Sequence, residues 1–445
     1  MKKIKNVGII MLAMACMATA GCGGGGDSDN PSGSTNANTN TNTSFFEDIP
    51  AELDGTTVTF ATWIDHNSNE SATVLSDFTD ITGIKVEILH IPQMEYVSKL
   101  SALVASGESP DVAVSNAEWP RILPILSPLE NTKVNPSDEF WAQEVVKSYT
   151  IGGHSYLVNV REGAWDMGSA CVYYNKRIFE DNGITTPDLY YTEKRWTLEN
   201  FFKAAKELKA AIGCGVGIDV GSFTSAYSDG FVTWDSESAS FKSNINQPEF
   251  ISAWQMMAEA RDGGYAEVSD GGTRWMFEQQ KMGMLLTGAY GLRKTGWFSN
   301  DIDTEDLGFV PLPRVEASSE QIYGRTGERG YGICNGAKNP DGAAYFLRYF
   351  LDADNYEEDE LYKNEESMEL YKELQANKKS GIDSTYAILR MFNPDSSSPL
   401  YEVFPELKDC TASQISSVLA SNTKTFDSCI AKANQLLQDS NKDNQ

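Results

Sequence analysis

Two hydrophobic rhythms alternate along residues 57–115. Thr57-Val-Thr-Phe-Ala-Thr-Trp63 is an unbroken run of β-branched and aromatic residues, the composition of a buried strand. A polar loop, Ile64 to Glu70, follows. Ser71 to Ile81 then places Val74, Leu75, Phe78 and Ile81 at intervals of three and four, which predicts a helix ended by Thr82-Gly83. Lys85 to Ile91 reads as a second strand, Met94 to Ala105 as a helix with Val97, Leu100 and Leu103 on one face, and Asp111 to Ser115 as a third strand. Strand, helix, strand, helix, strand implies a parallel sheet with right-handed crossovers. Ligands of such sheets sit beyond the carboxyl ends of the strands. That singles out Trp63 to Asn67 and Ser115 to Arg121.

The residues before this region do not follow either rhythm. Lys2, Lys3 and Lys5 precede an apolar stretch, Val7 to Ala20, that is short of the roughly 20 residues a membrane span needs. It ends in Thr19-Ala20-Gly21-Cys22, which resembles a lipoprotein signal, with Thr19 where an aliphatic residue is usual. On this reading residues 1–21 are a signal peptide and Cys22 carries the lipid, palmitate included. Residues 22–47 are a Gly/Ser/Asn/Thr tether with too little apolar surface to fold. An anchor with a long tether suits the outer face of a Gram-positive cell membrane. From residue 48 onward the chain exceeds the 250–300 residues at which one core stops growing. Two lobes are expected.

Charge narrows the partners. The net charge is −27, and loss of the three leader lysines takes it to −30, the wrong sign for nucleic acid. Of seven cysteines, Cys16 leaves with the leader and Cys22 takes the lipid. Cys171, Cys214, Cys334, Cys410 and Cys429 remain, without a CxxC pair, so neither a disulfide framework nor a zinc ribbon is indicated. Cys410 and Cys429 could bridge; small buried thiols are the simpler reading.

A series of motifs in fixed order then resembles one family. Phe78-Thr-Asp-Ile-Thr-Gly-Ile-Lys-Val86, Lys99-Leu-Ser-Ala-Leu-Val-Ala-Ser-Gly107 and Ser109-Pro-Asp-Val112 are similar to the start of extracellular solute-binding proteins of the maltose-binding type. Val172-Tyr-Tyr-Asn-Lys176, with Phe179, Gly183 and Pro187, resembles the family's hinge strand and following helix. Trp196-Thr-Leu-Glu-Asn-Phe201, the segment Phe277 to Gly291, Pro311-Leu-Pro313 and Tyr331-Gly-Ile-Cys-Asn-Gly-Ala-Lys-Asn-Pro340 continue the order.

The resemblance implies an α/β, two-lobed periplasmic-binding-protein-like fold of type II, with parallel-rich sheets flanked by helices and a hinge of about three crossings. It places the crossings near Val172–Asn175, Arg329–Asn335 and Met391–Asp395. The first lobe then holds residues 48–172 plus 335–392, and the second 175–330 plus 395–440. It also implies a monomeric receptor that hands a small-molecule solute, an oligosaccharide, to the transmembrane subunits of an ABC permease.

Candidate ligand residues follow from strand ends and family positions together. Trp63 and Tyr290 occupy family ligand positions, and Trp119, Trp165 and Tyr401 fall outside periodic runs. Flat aromatic faces suit the C–H face of a sugar ring, and nearby Asp, Asn, Glu and Arg suit its hydroxyls. Asp65, His66 and Asn67 follow the first strand, where a helix cap or solvated loop is the plainer alternative. Glu118 and Arg121 follow the third. Trp165 and Asp166 lie in a segment, Val158 to Gly168, that lacks the family's proline and looks longer than usual. Arg325, Glu328 and Arg329 are unusually charged; they read as an interlobe ion pair or as recognition of a carboxylate on an acidic sugar.

Rival functions are poorly supported. With 63 acidic residues, paired carboxylates for a glycosidase are inevitable and decide nothing. His66, His90 and His154 have no HExxH spacing, and neither a P-loop nor a GxSxG elbow is present. Gly213-Cys-Gly-Val-Gly217 lacks dinucleotide-loop spacing. Asp352 to Glu360 lacks the glycine of a calcium loop and reads as a helix start with an acidic face. No repeats point to an adhesin. No catalytic residue, cofactor or metal is expected. A non-sugar solute is the alternative within the same fold: a polyamine, a phosphate ester or a peptide fragment. Asp65, Glu118 and Asp166 without a compensating arginine would favour a cation, whereas several aromatics on one cleft would favour sugar.

Overall fold

The computed structural model describes residues 45–443, apart from 68–70, 116–117, 161–169, 270–272, 295, 299–301, 324, 327–328, 358–360, 378, 381–384 and 392–398. Cys22, Trp165, Asp166 and Glu328 therefore lie outside the described residues, and so does most of the tether.

Strand β1 (Thr57–Thr62), helix α1 (Ser71–Thr82), strand β2 (Lys85–His90), helix α2 (Tyr96–Ser106) and strand β3 (Val112–Ser115) match the predicted series to within a residue or two. β1 pairs in parallel with β2 on one side and β3 on the other, Thr57 opposite Lys85 and Phe60 opposite Val112. Gly83 ends α1 at φ +72°, where a side chain would also collide with Asp54, so only glycine fits. Buried Asp111 ties three elements: it accepts the Thr59 amide at 2.8 Å and the Asn339 amide at 2.7 Å, at the start of a later helix.

Next come strand β4 (Ala170–Asn175), helix α3 (Leu198–Ile212), strand β5 (Val216–Asp219), helix α4 (Pro248–Asp262), strand β6 (Ala266–Ser269), strand β7 (Met284–Gly288) and strand β8 (Leu307–Pro311). They form a second sheet in the order β6-β5-β7-β4-β8, in which β4 runs antiparallel to both neighbours. The chain then returns to the first sheet as β9 (Gly330–Ile333), antiparallel to β3, so the first sheet reads β9-β3-β1-β2. Helix α5 (Pro340–Leu351) packs on α1 and β1. Helices α6 (Glu365–Asn377), α7 (Thr385–Arg390) and α8 (Ile415–Asp443) complete the chain. The architecture is α/β and two-lobed, each lobe built on one mixed sheet.

The crossings differ in position from those expected. Val158 exchanges two backbone hydrogen bonds with Tyr331 of β9, at 2.9 and 2.8 Å, and is still with the first sheet; Ala170–Asn175 is wholly in the second. The first crossing thus precedes Ala170. The second precedes Gly330, because all of β9 pairs with β3. The last lies between Leu351 and Leu361 instead of near Met391. Beyond it, Lys294 N–H donates to Leu361 O at 3.0 Å and Lys363 N–H to Leu292 O at 3.1 Å. Two α6 carboxylates are also tied to the second lobe: Lys176 Nζ donates to Glu366 at 2.8 Å and Tyr191 Oη to Glu373 at 2.6 Å. Residues 361–391, expected with the first lobe, therefore pack with the second sheet. A helix that supplies its own charged partners to a distant strand cannot be assigned from its own periodicity.

The tether also ends sooner than residue 47. Phe45 and Phe46 pack on Tyr345 of α5, with ring centroids at 5.0 and 6.1 Å, and Arg348 sits 4.5 Å from the Phe45 ring. All five cysteines of the described residues are free thiols, so Cys410 and Cys429 are not bridged.

Candidate functional site

Trp63 directly follows β1 and is half-buried. Its ring meets the edge of Tyr96 at 4.9 Å and 88°, and the Arg329 guanidinium lies 5.6 Å from its centroid. One face of the indole is thus fixed by α2, and a cation from the segment before β9 lies over it. Tyr96 is itself anchored: its hydroxyl donates to Ala61 O at 2.9 Å and accepts the Val114 amide at 3.0 Å.

The loop after Trp63 divides in two. Asp65 and Asn67 are exposed, and Asp65 accepts the Asn67 amide at 3.1 Å in a local turn. His66 points inward, 1% exposed. It stacks on Phe60 at 5.5 Å, meets Phe350 edge-on at 5.0 Å and shares a 2.8 Å hydrogen bond with Ser71, the first residue of α1. Burial pushes its pKa down to about 3, helped by the charges of Arg329 and Arg293 and opposed by Asp65. His66 is therefore a neutral residue that holds the loop to the helix start.

The loop after β3 carries the polar groups. Glu118 and Trp119 are buried and Arg121 is half-buried. Trp119 meets Tyr149 edge-on at 5.0 Å and Trp234 at 5.9 Å, and Trp234 Nε1 donates to Ser148 O at 2.9 Å. Trp234 lies between β5 and α4 in the chain, so a second-lobe residue covers Trp119. Ser115 Oγ and Trp119 Nε1 are buried with no hydrogen-bond partner among the described residues. An unsatisfied buried polar group costs about 1–3 kcal/mol. Two of them in one strand-end loop mark a place where a polar guest would be welcome.

From the second sheet, Tyr290 stands in the turn Ala289–Leu292 after β7. Its half-buried ring meets Trp297 at 5.6 Å and 82°, and Arg274 covers Trp297 at 5.4 Å. Three residues on, Arg293 is fully buried, 0% exposed, with its backbone bridged to Tyr362 at the last crossing. Arg329, 3% exposed, has its carbonyl held by Asn159 Nδ2 at 2.8 Å. The charges of Arg293 and Arg329 both lower the His66 pKa, and Arg329 also lies over Trp63, so the loop after β1 meets the second crossing. Tyr401 is half-buried in the helix Pro399–Val403.

The structure brings Trp63, Arg329 and Tyr96 together; the sequence singled out the first two but neither Tyr96 nor Arg293. An arginine three positions past Tyr290, just beyond the turn after β7, is a signal that could have identified Arg293. Nothing local distinguishes Tyr96 from an ordinary core tyrosine.

The family model described as bacterial extracellular solute-binding protein matches residues 65–357, well over half of the chain. No curated protein matches the sequence. Among solved structures, the galacto-N-biose/lacto-N-biose I-binding protein of the Bifidobacterium longum ABC transporter, in complex with lacto-N-biose, superimposes with a TM-score of 0.63 at 15% identity, covering 85% of this chain and 98% of that one. An ABC substrate-binding protein of Listeria monocytogenes with cycloalternan gives 0.58 at 16%, covering 85% and 100%. Maltose-bound MalE3 of T. maritima gives 0.57 at 17%, covering 84% and 99%.

Proposed function

The chain belongs to the bacterial extracellular solute-binding proteins, and from that footing we propose that it captures an oligosaccharide between its two lobes and delivers it to an ABC permease. It does so anchored through Cys22 to the outer face of the cell membrane, and it binds without cleaving. Trp63 and Tyr290 are the stacking platforms, one from each lobe. Ser115, Glu118, Trp119, Asp65 and Asn67 supply hydroxyl partners on the first-lobe side, and Trp165, Asp166 and Tyr401 extend the cleft.

The observation that carries this reading is the meeting of the two lobes at the strand-end loops of the first. Trp234 of the second lobe meets first-lobe Trp119 at 5.9 Å, and Arg329 of the crossing lies 5.6 Å from the ring of first-lobe Trp63. Closure of two such lobes about a hinge buries a ligand on all sides. Micromolar affinity needs only about −8 kcal/mol, within reach of a few stacked rings and satisfied hydroxyl bonds. The positive charges of Arg293 and Arg329 near His66 weigh against a polyamine there.

The test is a thermal-shift screen of the full chain against oligosaccharides, polyamines, phosphate esters and short peptides. A ligand that binds only the folded state raises the melting temperature. A shift confined to oligosaccharides supports the proposal; a shift confined to another class overturns it.

A further inference from the structure

Resting on the sugar-receptor reading, we propose that Trp234 is a clasp that holds the two lobes together over the captured oligosaccharide, a positioning residue that acts through the lobe contact. Trp234 stands in a two-stranded hairpin, Val232–Asp235 paired with Ser240–Ser243. The hairpin belongs to the second lobe. Phe231, just before it, packs on Phe250 and Trp254 of α4 with ring centroids at 4.7 and 6.2 Å, and α4 packs on β6 of the second sheet. The other strand is pinned to α8: Asn434 accepts the Phe241 amide at 2.7 Å and donates to Phe241 O at 3.1 Å.

From that base Trp234 reaches into the first lobe. Its Nε1 donates to Ser148 O at 2.9 Å, and its ring meets Trp119 at 5.9 Å and 84°. Ser148 closes the helix Gln143–Ser148, so its carbonyl has no partner within that helix and is open to an outside donor. Trp119 packs on Tyr149 at 5.0 Å, and a side chain at Gly330, the first residue of β9, would touch the Tyr149 ring. Gly330 stands opposite Ser115, the last residue of β3. The contact therefore sits at the carboxyl end of β3, the end that faces the cleft. Within the hairpin the Trp234 ring is backed by Phe241 at 4.7 Å, so its direction is set before the lobes meet. Opening of the hinge draws the second lobe away from these loops and must break the Trp234–Ser148 bond and the edge-to-face pair with Trp119. Such pairs stabilise beyond the area they bury. The clasp thus strengthens the closed arrangement alone, which slows release of the sugar and leaves its encounter unchanged.

The experiment uses the full chain with maltotriose, xylotriose and cellotriose as probes. Stopped-flow fluorescence gives association and release rates for the unaltered chain, Trp234→Phe and Trp234→Ala. Phenylalanine keeps a ring beside Trp119 and Phe241 and loses the Nε1 donor; alanine loses both. Release should be about threefold faster in Trp234→Phe and about tenfold or more in Trp234→Ala, with association within about threefold throughout. Trp234→Phe should melt within about 3 °C of the unaltered chain; a residue that merely stabilised its hairpin would lower the melting temperature and leave release alone, which overturns the clasp. Unchanged or slower release in both variants also overturns it and spares the sugar receptor. Without sugar, small-angle X-ray scattering should show a larger radius of gyration for Trp234→Ala than for the unaltered chain. Silence from all three probes counts against the receptor reading, and scattering then decides the clasp by itself: the larger radius sustains it, and an identical one overturns it.

Discussion

Replacement of Tyr96 by phenylalanine removes one oxygen atom and should destabilise the first lobe measurably. In β1 and β3, Ala61 faces Ala113, and the paired register stops at that point. The next rung is the Tyr96 hydroxyl, which donates to Ala61 O at 2.9 Å and accepts the Val114 amide at 3.0 Å. The phenol is fully buried, and burial raises its pKa well above the usual tyrosine value, so it stays protonated and able to donate. Phenylalanine keeps the ring against Trp63 but leaves a buried carbonyl and a buried amide unpaired. At about 1–3 kcal/mol for each orphaned group, less what the strands recover by closing up, the loss is about 2–4 kcal/mol. For a lobe of this size that corresponds to a fall of roughly 5–15 °C in the transition. Two lobes need not melt together, so differential scanning calorimetry should resolve the transition that moves. Tyr265→Phe is the control, since its hydroxyl makes no hydrogen bond among the described residues. Well below the transition, Tyr96→Phe should bind the same saccharide within about threefold, because the ring edge that supports Trp63 remains. A shift under about 2 °C would refute the hydroxyl's place in the ladder.

Other outcomes are equally direct. Trp63→Ala and Tyr290→Ala should each weaken binding of the best oligosaccharide by about tenfold or more in calorimetry; unchanged affinity in both would remove the site from this cleft. His66 is held neutral, so its contribution is present above the unfolded value near 6.5 and is lost as pH falls from there toward about 3. At pH 5 the cost is about 2 kcal/mol, and His66→Gln should flatten the fall of melting temperature between pH 7 and 5; an equally steep fall would contradict it. Burial pushes the Cys171 and Cys429 thiols up to about 12 and raises that of Cys410. The folded chain should react slowly with a thiol reagent at pH 8, and reductant should leave its melting temperature unchanged; a reductant-sensitive transition would reveal a Cys410–Cys429 bridge.

The opening of the fold was legible because each of its elements buries a face within a few residues of itself. β1 through β3 carry their rhythm in local order, and Gly83 and Gly107 punctuate it. Strand ends alone singled out Trp63 and Glu118 as candidates, and family position singled out Tyr290. What was hidden depends on contacts made hundreds of residues away. Nothing in Glu365–Asn377 announces that Glu366 will meet Lys176 or Glu373 will meet Tyr191, so the last crossing was placed some thirty residues late. Phe45 and Phe46 sit at the end of a polar tract and reveal their role only beside Tyr345 and Tyr349. The inward turn of His66 is set by Phe60, Phe350 and Ser71 together, which no linear pattern displays.

The central claim is capture of an intact oligosaccharide by lobe closure. It is tested most directly by calorimetric titration of the full chain with the best saccharide of the screen, followed by chromatography of the sugar recovered after prolonged incubation. The account predicts saturable binding of one sugar per chain and recovery of that sugar unchanged. Absence of binding by every saccharide, or recovery of shortened products, would contradict it.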